Sequence, residues 1–169
     1  MKFELDMNLN ITKSDIEKLI EVKEKDSFIN HFFTVIKHDR RTAGEIEKTE
    51  IKIWKFNLWV AIFYPIFIFH LNSNNELATI SSKLNSFGKL SYGLFFVFLT
   101  FLFRDIDFVK ITLSGFLLLA LLYLVLISFF MLISFKIYRY EKKEKLKVIF
   151  ETLKVIKEKS ACSHQNTNQ

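Results

Sequence analysis

Apolar positions in this chain fall into three long runs, with charged segments at both ends. The first run is "KIWKFNLWVAIFYPIFIFHL" (Lys52 to Leu71), the second "LSYGLFFVFLTFLF" (Leu90 to Phe103), and the third extends from Ile111 to Phe135 without a charge. At about 1.5 Å per residue the third reaches roughly 37 Å, ample for a tilted crossing of a ~30 Å hydrocarbon core. The second covers roughly 21 Å, or roughly 30 Å if it begins at Leu84 and Lys89 snorkels outward. This pattern predicts an all-α integral membrane protein with two or three transmembrane helices and amphipathic cytoplasmic helices at both ends.

Residues 1–41 read as two amphipathic helices. Ser14 with Glu17 makes a capping box ahead of Ile16, Leu19 and Ile20. Asp26 or Ser27 caps a second helix that carries Phe28, Ile29, Phe32, Phe33 and Ile36 on one face, which must pack on another helix or lie in the membrane interface. "HDRRTAGE" (His38 to Glu45) is a break, and Thr42 with Glu45 opens a new helix. One rod is expected over 42–71, its span at about 53–71, with Trp54 and Trp59 near the boundary and a kink at Pro65. Residues 72–83 form a polar outer connector, and 84–110 a short second helix, spanning or re-entrant, with a polar turn. Residues 111–140 are a transmembrane span with Tyr138 and Tyr140 at its interface. A basic amphipathic helix follows over 141–160, its stripe formed by Leu146, Ile149, Phe150, Leu153 and Ile156. The tail, 161–169, is expected to be disordered.

Lysine and arginine decide how such a chain threads. Lys37, Arg40, Arg41, Lys48, Lys52 and Lys55 precede the first run, while Lys136, Arg139, Lys142, Lys143, Lys145, Lys147 and Lys154 follow the third. Both ends therefore favour the cytoplasm, which requires an even number of crossings, yet there are three runs. Either all three cross and one basic end is translocated, or the first and third cross and the middle run is re-entrant. In the second case both termini stay inside and "RDIDFVK" lies outside. In both cases Arg104, Asp105, Asp107 and Lys110 belong at a surface, where the two signs of charge can neighbour each other.

Composition adds little chemistry. The formal charge is +6, but the basic residues flank apolar runs, which fits anionic lipid head groups better than nucleic acid. The start of the chain has no apolar core of a signal peptide, so insertion is expected to be driven by the first span. Cys162 is the one cysteine, and no glycine-rich phosphate loop, nucleophile elbow or zinc motif is present. No catalytic residue, cofactor or metal ligand is assigned. His31 and His38 are read as surface residues, and His70 as an interfacial one. Phe28 and Phe32 at one end, and Ile149 and Leu153 at the other, are candidate contact residues that pack together or lie on lipid.

In size, basic ends and multi-span layout the chain is similar to plasmid- or phage-borne immunity and exclusion proteins. That resemblance implies a non-enzymatic, multi-pass inner-membrane protein with both termini cytoplasmic. It would guard against a pore-forming toxin or a second DNA transfer through contact with another membrane protein or itself. By layout it also looks like the two-span effector domains of bacterial nucleotide-signalling defence systems. An accessory subunit of a larger membrane assembly is the third possibility.

Overall fold

The computed structural model describes residues 11–37, 41–55, 63–104 and 112–165. Its elements, in chain order, are α1 (Lys13–Glu17), β1 (Val22–Lys23), α2 (Phe28–Lys37), β2 (Thr42–Ile46), β3 (Glu50–Lys55), β4 (Pro65–Leu71), β5 (Leu77–Leu84), α3 (Ser86–Leu102) and α4 (Leu113–Gln165). The strands form a five-stranded sheet in the order β1-β2-β3-β4-β5, with β1 parallel to β2 and the others antiparallel. The expected all-α fold is therefore overturned. The helical rod expected over 42–71 is replaced by β2, β3 and β4, and the polar connector after it by a turn and β5.

The strands follow from side-chain shape and burial. "EIKIWK" alternates, so Ile51 and Ile53 line one face of the sheet, opposite Phe69 and Phe67 of β4. Trp54 lies on the other face between Ala43 and Ile66. β4 is a central strand with Ile66, Phe67 and Phe69 all buried, so both of its faces are covered. Such a strand reads as an unbroken apolar run, just as a membrane helix does. Pro65 makes no kink; it is the first residue of β4, paired with Leu84, at a place where a strand tolerates proline. The turn into β5 is an asparagine device. The Asn72 side-chain oxygen accepts from the backbone N–H groups of Asn74 and Glu76, both at 2.9 Å, and Asn75 adopts φ 60°.

Gly44 has a packing reason to be glycine. A Cβ there would stand 2.7 Å from Ile20 Cδ1 and 2.8 Å from the Lys52 carbonyl oxygen. Gly44→Ala is expected to destabilise the sheet domain by about 1–3 kcal/mol through overpacking, measured as a lower unfolding midpoint.

One face of the sheet is covered by α1 and the C-terminal half of α4. Leu146 and Leu153 are buried with Ile11, Ile16, Ile51, Ile53, Phe67 and Phe69, and Ile149, Phe150 and Ile156 pack at the margin. The α4 stripe thus meets neither lipid nor α2. The capping box of α1 is Thr12 with Asp15 instead of Ser14 with Glu17: the Asp15 carboxylate accepts from the Thr12 N–H at 3.1 Å and its hydroxyl at 2.8 Å. Ser27 caps α2 as one of the two expected options, accepting from the Asn30 N–H at 3.3 Å.

α2 packs on the opposite face of the sheet through His31, whose ring lies 4.8 Å from that of Trp54. His31 is 0% exposed, so the expected surface histidine is a core residue. His70, expected at an outer membrane boundary, sits in β4 and is hydrogen-bonded to Ser81 at 2.9 Å.

α3 and α4 form an antiparallel hairpin. The Phe95 and Phe130 rings stack at 3.9 Å, Tyr92 and Phe63 close around Phe130, and Phe103 meets Tyr123 at 5.7 Å. α4 then runs unbroken for 53 residues. The helix that pairs with α3 and the helix that covers the sheet are one rod.

Candidate functional site

Sheet, α2, α3 and α4 meet around Tyr64, the residue before β4. Its phenol lies 2.7 Å from His31 Nδ1, and His31 Nε2 lies 2.8 Å from an Asp26 carboxylate oxygen. A carboxylate only accepts, so Nε2 carries a proton, and in the neutral ring Nδ1 accepts from the Tyr64 hydroxyl. The second Asp26 oxygen pairs with the Lys83 ammonium of β5 at 2.6 Å. From the other side of Tyr64, its backbone oxygen accepts from the Asn85 side chain at 2.8 Å. The Asn85 side-chain oxygen in turn accepts from the Gly88 N–H at 2.8 Å and caps α3. α4 closes the junction: Lys145 stands 5.6 Å from the centre of the Tyr64 ring and pairs with Glu141 at 2.8 Å, while the Tyr138 hydroxyl lies 3.2 Å from that of Ser82.

Chemically this is a clamp. Tyr64 and His31 are buried and both nitrogens of the imidazole are engaged, so the Asp–His–Tyr row holds elements in place and offers no accessible nucleophile. The hydrogen bond from His31, with Lys83, holds the Asp26 carboxyl well below the usual carboxylate range against the opposing effect of burial. Burial pushes the Tyr64 phenol well up, helped by the charges of Asp26 and Glu24. Burial likewise pulls the Lys145 ammonium down, and Glu141 opposes it.

The signs of these shifts predict a stability profile. A depressed carboxyl contributes stability that is complete above its ordinary value of 3.8 and fades as pH falls below it. A raised phenol contributes stability that is complete below its ordinary value of 10.0 and fades as pH rises beyond it. Unfolding midpoints measured against pH are expected to fall at both extremes. Asp26→Asn should flatten the acid limb and Tyr64→Phe the alkaline one.

The second feature is the hairpin surface. Leu94, Val97, Phe98, Phe101 and Leu102 of α3 are exposed, as are Leu117, Leu118, Leu121, Leu124, Val125 and Leu132 of α4. Among the described residues α4 is the one helix long and apolar enough to cross a membrane, and α3 is a shorter apolar helix. From Leu113 to Phe135, α4 covers roughly 33 Å, and α3 covers about 25 Å. So large a continuous apolar surface marks an interaction with lipid or protein.

The residues singled out by sequence are dispersed. Phe28 and Phe32 sit on the exposed side of α2, while Leu153 is buried and Ile149 half-buried on the opposite face of the sheet. Pro65 opens β4. Arg104 follows α3 and lies over the Phe101 ring at 5.5 Å. Asp105, Asp107, Lys110, His38 and Trp59 lie outside the described residues. The clamp was not legible, because His31 and Tyr64 are 33 positions apart and only the sheet brings them together. Asn85 carried a readable signal, a capping asparagine directly before an apolar helix. No protein-family model, curated protein or solved structure matches the chain.

Proposed function

We propose that the chain is a two-span inner-membrane protein that acts through contact instead of chemistry. It presents the α3–α4 hairpin to another membrane-embedded helix, in the manner of immunity and exclusion proteins. The observation that carries this reading is the exposed apolar surface of a hairpin whose second helix is also a core element of a folded α/β domain. An apolar surface that size is costly in water and favourable in lipid. Basic residues support the orientation. Lys89 of α3 and Lys136, Arg139, Lys142 and Lys143 of α4 flank the end of the hairpin nearest the sheet, which supports a cytoplasmic sheet domain. Two crossings also satisfy the even number that the charged ends require, with α3 and α4 as the pair and "RDIDFVK" outside.

The test is survival. Cells expressing the chain are challenged with a panel of pore-forming toxins and with incoming conjugative DNA. Protection against one challenger and indifference to its relatives is the expected result, lost when the lipid-facing residues of α3 are exchanged for others of similar hydrophobicity. Expression that by itself collapses the membrane potential would replace this reading with a membrane-disrupting effector. Sensitivity to every challenger, with the protein present in the membrane, would refute the protective role.

A further inference from the structure

The exposed side of α2 has a definite position relative to the hairpin. Phe28 stacks on Phe87 with ring centres 5.2 Å apart and planes at 7°, and Phe32 lies 6.1 Å from the same ring at 17°. Phe87 is the second residue of α3, so α2 is held beside the point where α3 leaves the sheet domain. The other side of α2 is fixed in the core by His31, and the helix cannot turn to hide its phenylalanines. Phe28, Ile29, Phe32 and Phe33 remain exposed, Ile29 at 64%, and Leu90 and Leu94 continue the apolar surface down α3.

Charge at that level has one sign on the hairpin. The ring contacts set the helix register: Phe95 faces Phe130 and Phe103 faces Tyr123, which brings the start of α3 level with Lys136 to Arg139 of α4. Lys89, Lys136 and Arg139 are exposed there, and Lys25 is exposed just before α2. Aromatic side chains beside a collar of cations is the pattern of a helix that lies in the boundary between head groups and acyl chains of an anionic leaflet.

From this, and resting on the two-span reading, we infer that α2 is a membrane-surface foot. Its phenylalanine face and Ile29 seat in the head-group boundary of an anionic leaflet, and the basic collar binds the head groups. The end of the sheet domain nearest the hairpin is then held at the bilayer at three places, α2, α3 and α4. The single occupant of the face is lipid.

The full chain is reconstituted in vesicles of phosphatidylglycerol and phosphatidylcholine, and in phosphatidylcholine alone. In a Cys162→Ser background, one cysteine at a time carries an environment-sensitive fluorophore: Ile29→Cys on the foot, Val97→Cys on the hairpin, and Ala78→Cys on exposed β5. Lipids with a spin label high on the acyl chain serve as quencher. The expected result is loss of most of the Ile29→Cys emission, greater with phosphatidylglycerol than without it, and none at Ala78→Cys. A lipid label placed deep in the chain quenches Val97→Cys. An Ile29→Cys label that behaves like Ala78→Cys while Val97→Cys is quenched would overturn the foot and leave the two spans standing. A blue-shifted Ile29→Cys label that no lipid quenches would also overturn it, because protein then covers the face. If Val97→Cys too escapes quenching, the two-span reading fails and the foot with it.

Discussion

Leu153→Asp should unfold the sheet domain while leaving the chain in the membrane fraction. Leu153 is 2% exposed and packs with Ile16, Ile51 and Phe67, far along α4 from its apolar half. A carboxylate there would sit among apolar side chains, and burying it costs several kcal/mol, a large share of the roughly 5–15 kcal/mol that holds a domain together. Leu153→Met nearly conserves volume and should cost less than about 1.5 kcal/mol. Limited proteolysis of membranes separates the outcomes. The aspartate variant is expected to lose protection across 11–84 and to remain in the pellet, while the methionine variant keeps both. If the aspartate variant resisted protease as well as the parent, Leu153 would face solvent or lipid and the cover assigned to α4 would be wrong.

His31→Ala is expected to have the second-largest effect, about 3–5 kcal/mol of domain stability. It removes a fully buried ring that contacts Trp54, takes the His31 acceptor from the Tyr64 hydroxyl, and removes one of the two donors that, with Lys83 as the other, hold Asp26 ionised. Each buried polar group left unmatched costs about 1–3 kcal/mol, and the vacated volume adds to it. Tyr64→Phe should be milder, because it keeps the ring against α4 and loses only the hydroxyl. Since the two side chains share one hydrogen bond, the double variant should be less destabilised than the sum of the two, with a coupling of about 0.5–3 kcal/mol. Purely additive losses would mean that the row does not act as a unit. The acid sensitivity tied to Asp26 should also shrink in His31→Ala, with Lys83 still supporting the carboxylate, a signature that a packing defect alone would not produce.

What the residues made legible was the polarity of the chain more than its local geometry. The run from Ile111 to Phe135 reads as a long helix and α4 is one, because its length exceeds any ordinary strand. The amphipathic stripe of Leu146 and Leu153 is real, although its partner is a sheet. The first apolar run misleads because β4 is covered on both faces, so the period-two signal that would betray a strand is filled in. "EIKIWK" does carry that signal, and the asparagine turn after β4 carries a turn signal between strands. The capping pattern of Thr42 and Glu45 imitates a helix start in what is an inner strand, where Gly44 is needed for close approach to Ile20. The charge count demanded an even number of crossings, and the proposed α3–α4 pair would meet that demand without the first run. The junction around Tyr64 stays hidden in sequence, since its members come from α2 and the residues before it, β5, α4 and the loops before β4 and α3.

The central claim is that α3 and α4 cross the bilayer as a pair and hold the sheet domain inside the cell. Cysteine labelling in intact cells tests it most directly, because Cys162 is the one native cysteine and lies near the end of α4. A membrane-impermeant maleimide should label Asp107→Cys, made in a Cys162→Ser background, without permeabilisation. It should reach Cys162 of the parent chain only after the membrane is opened. Labelling of Cys162 in intact cells, or an Asp107→Cys that reacts only after permeabilisation, would contradict the two-crossing hairpin.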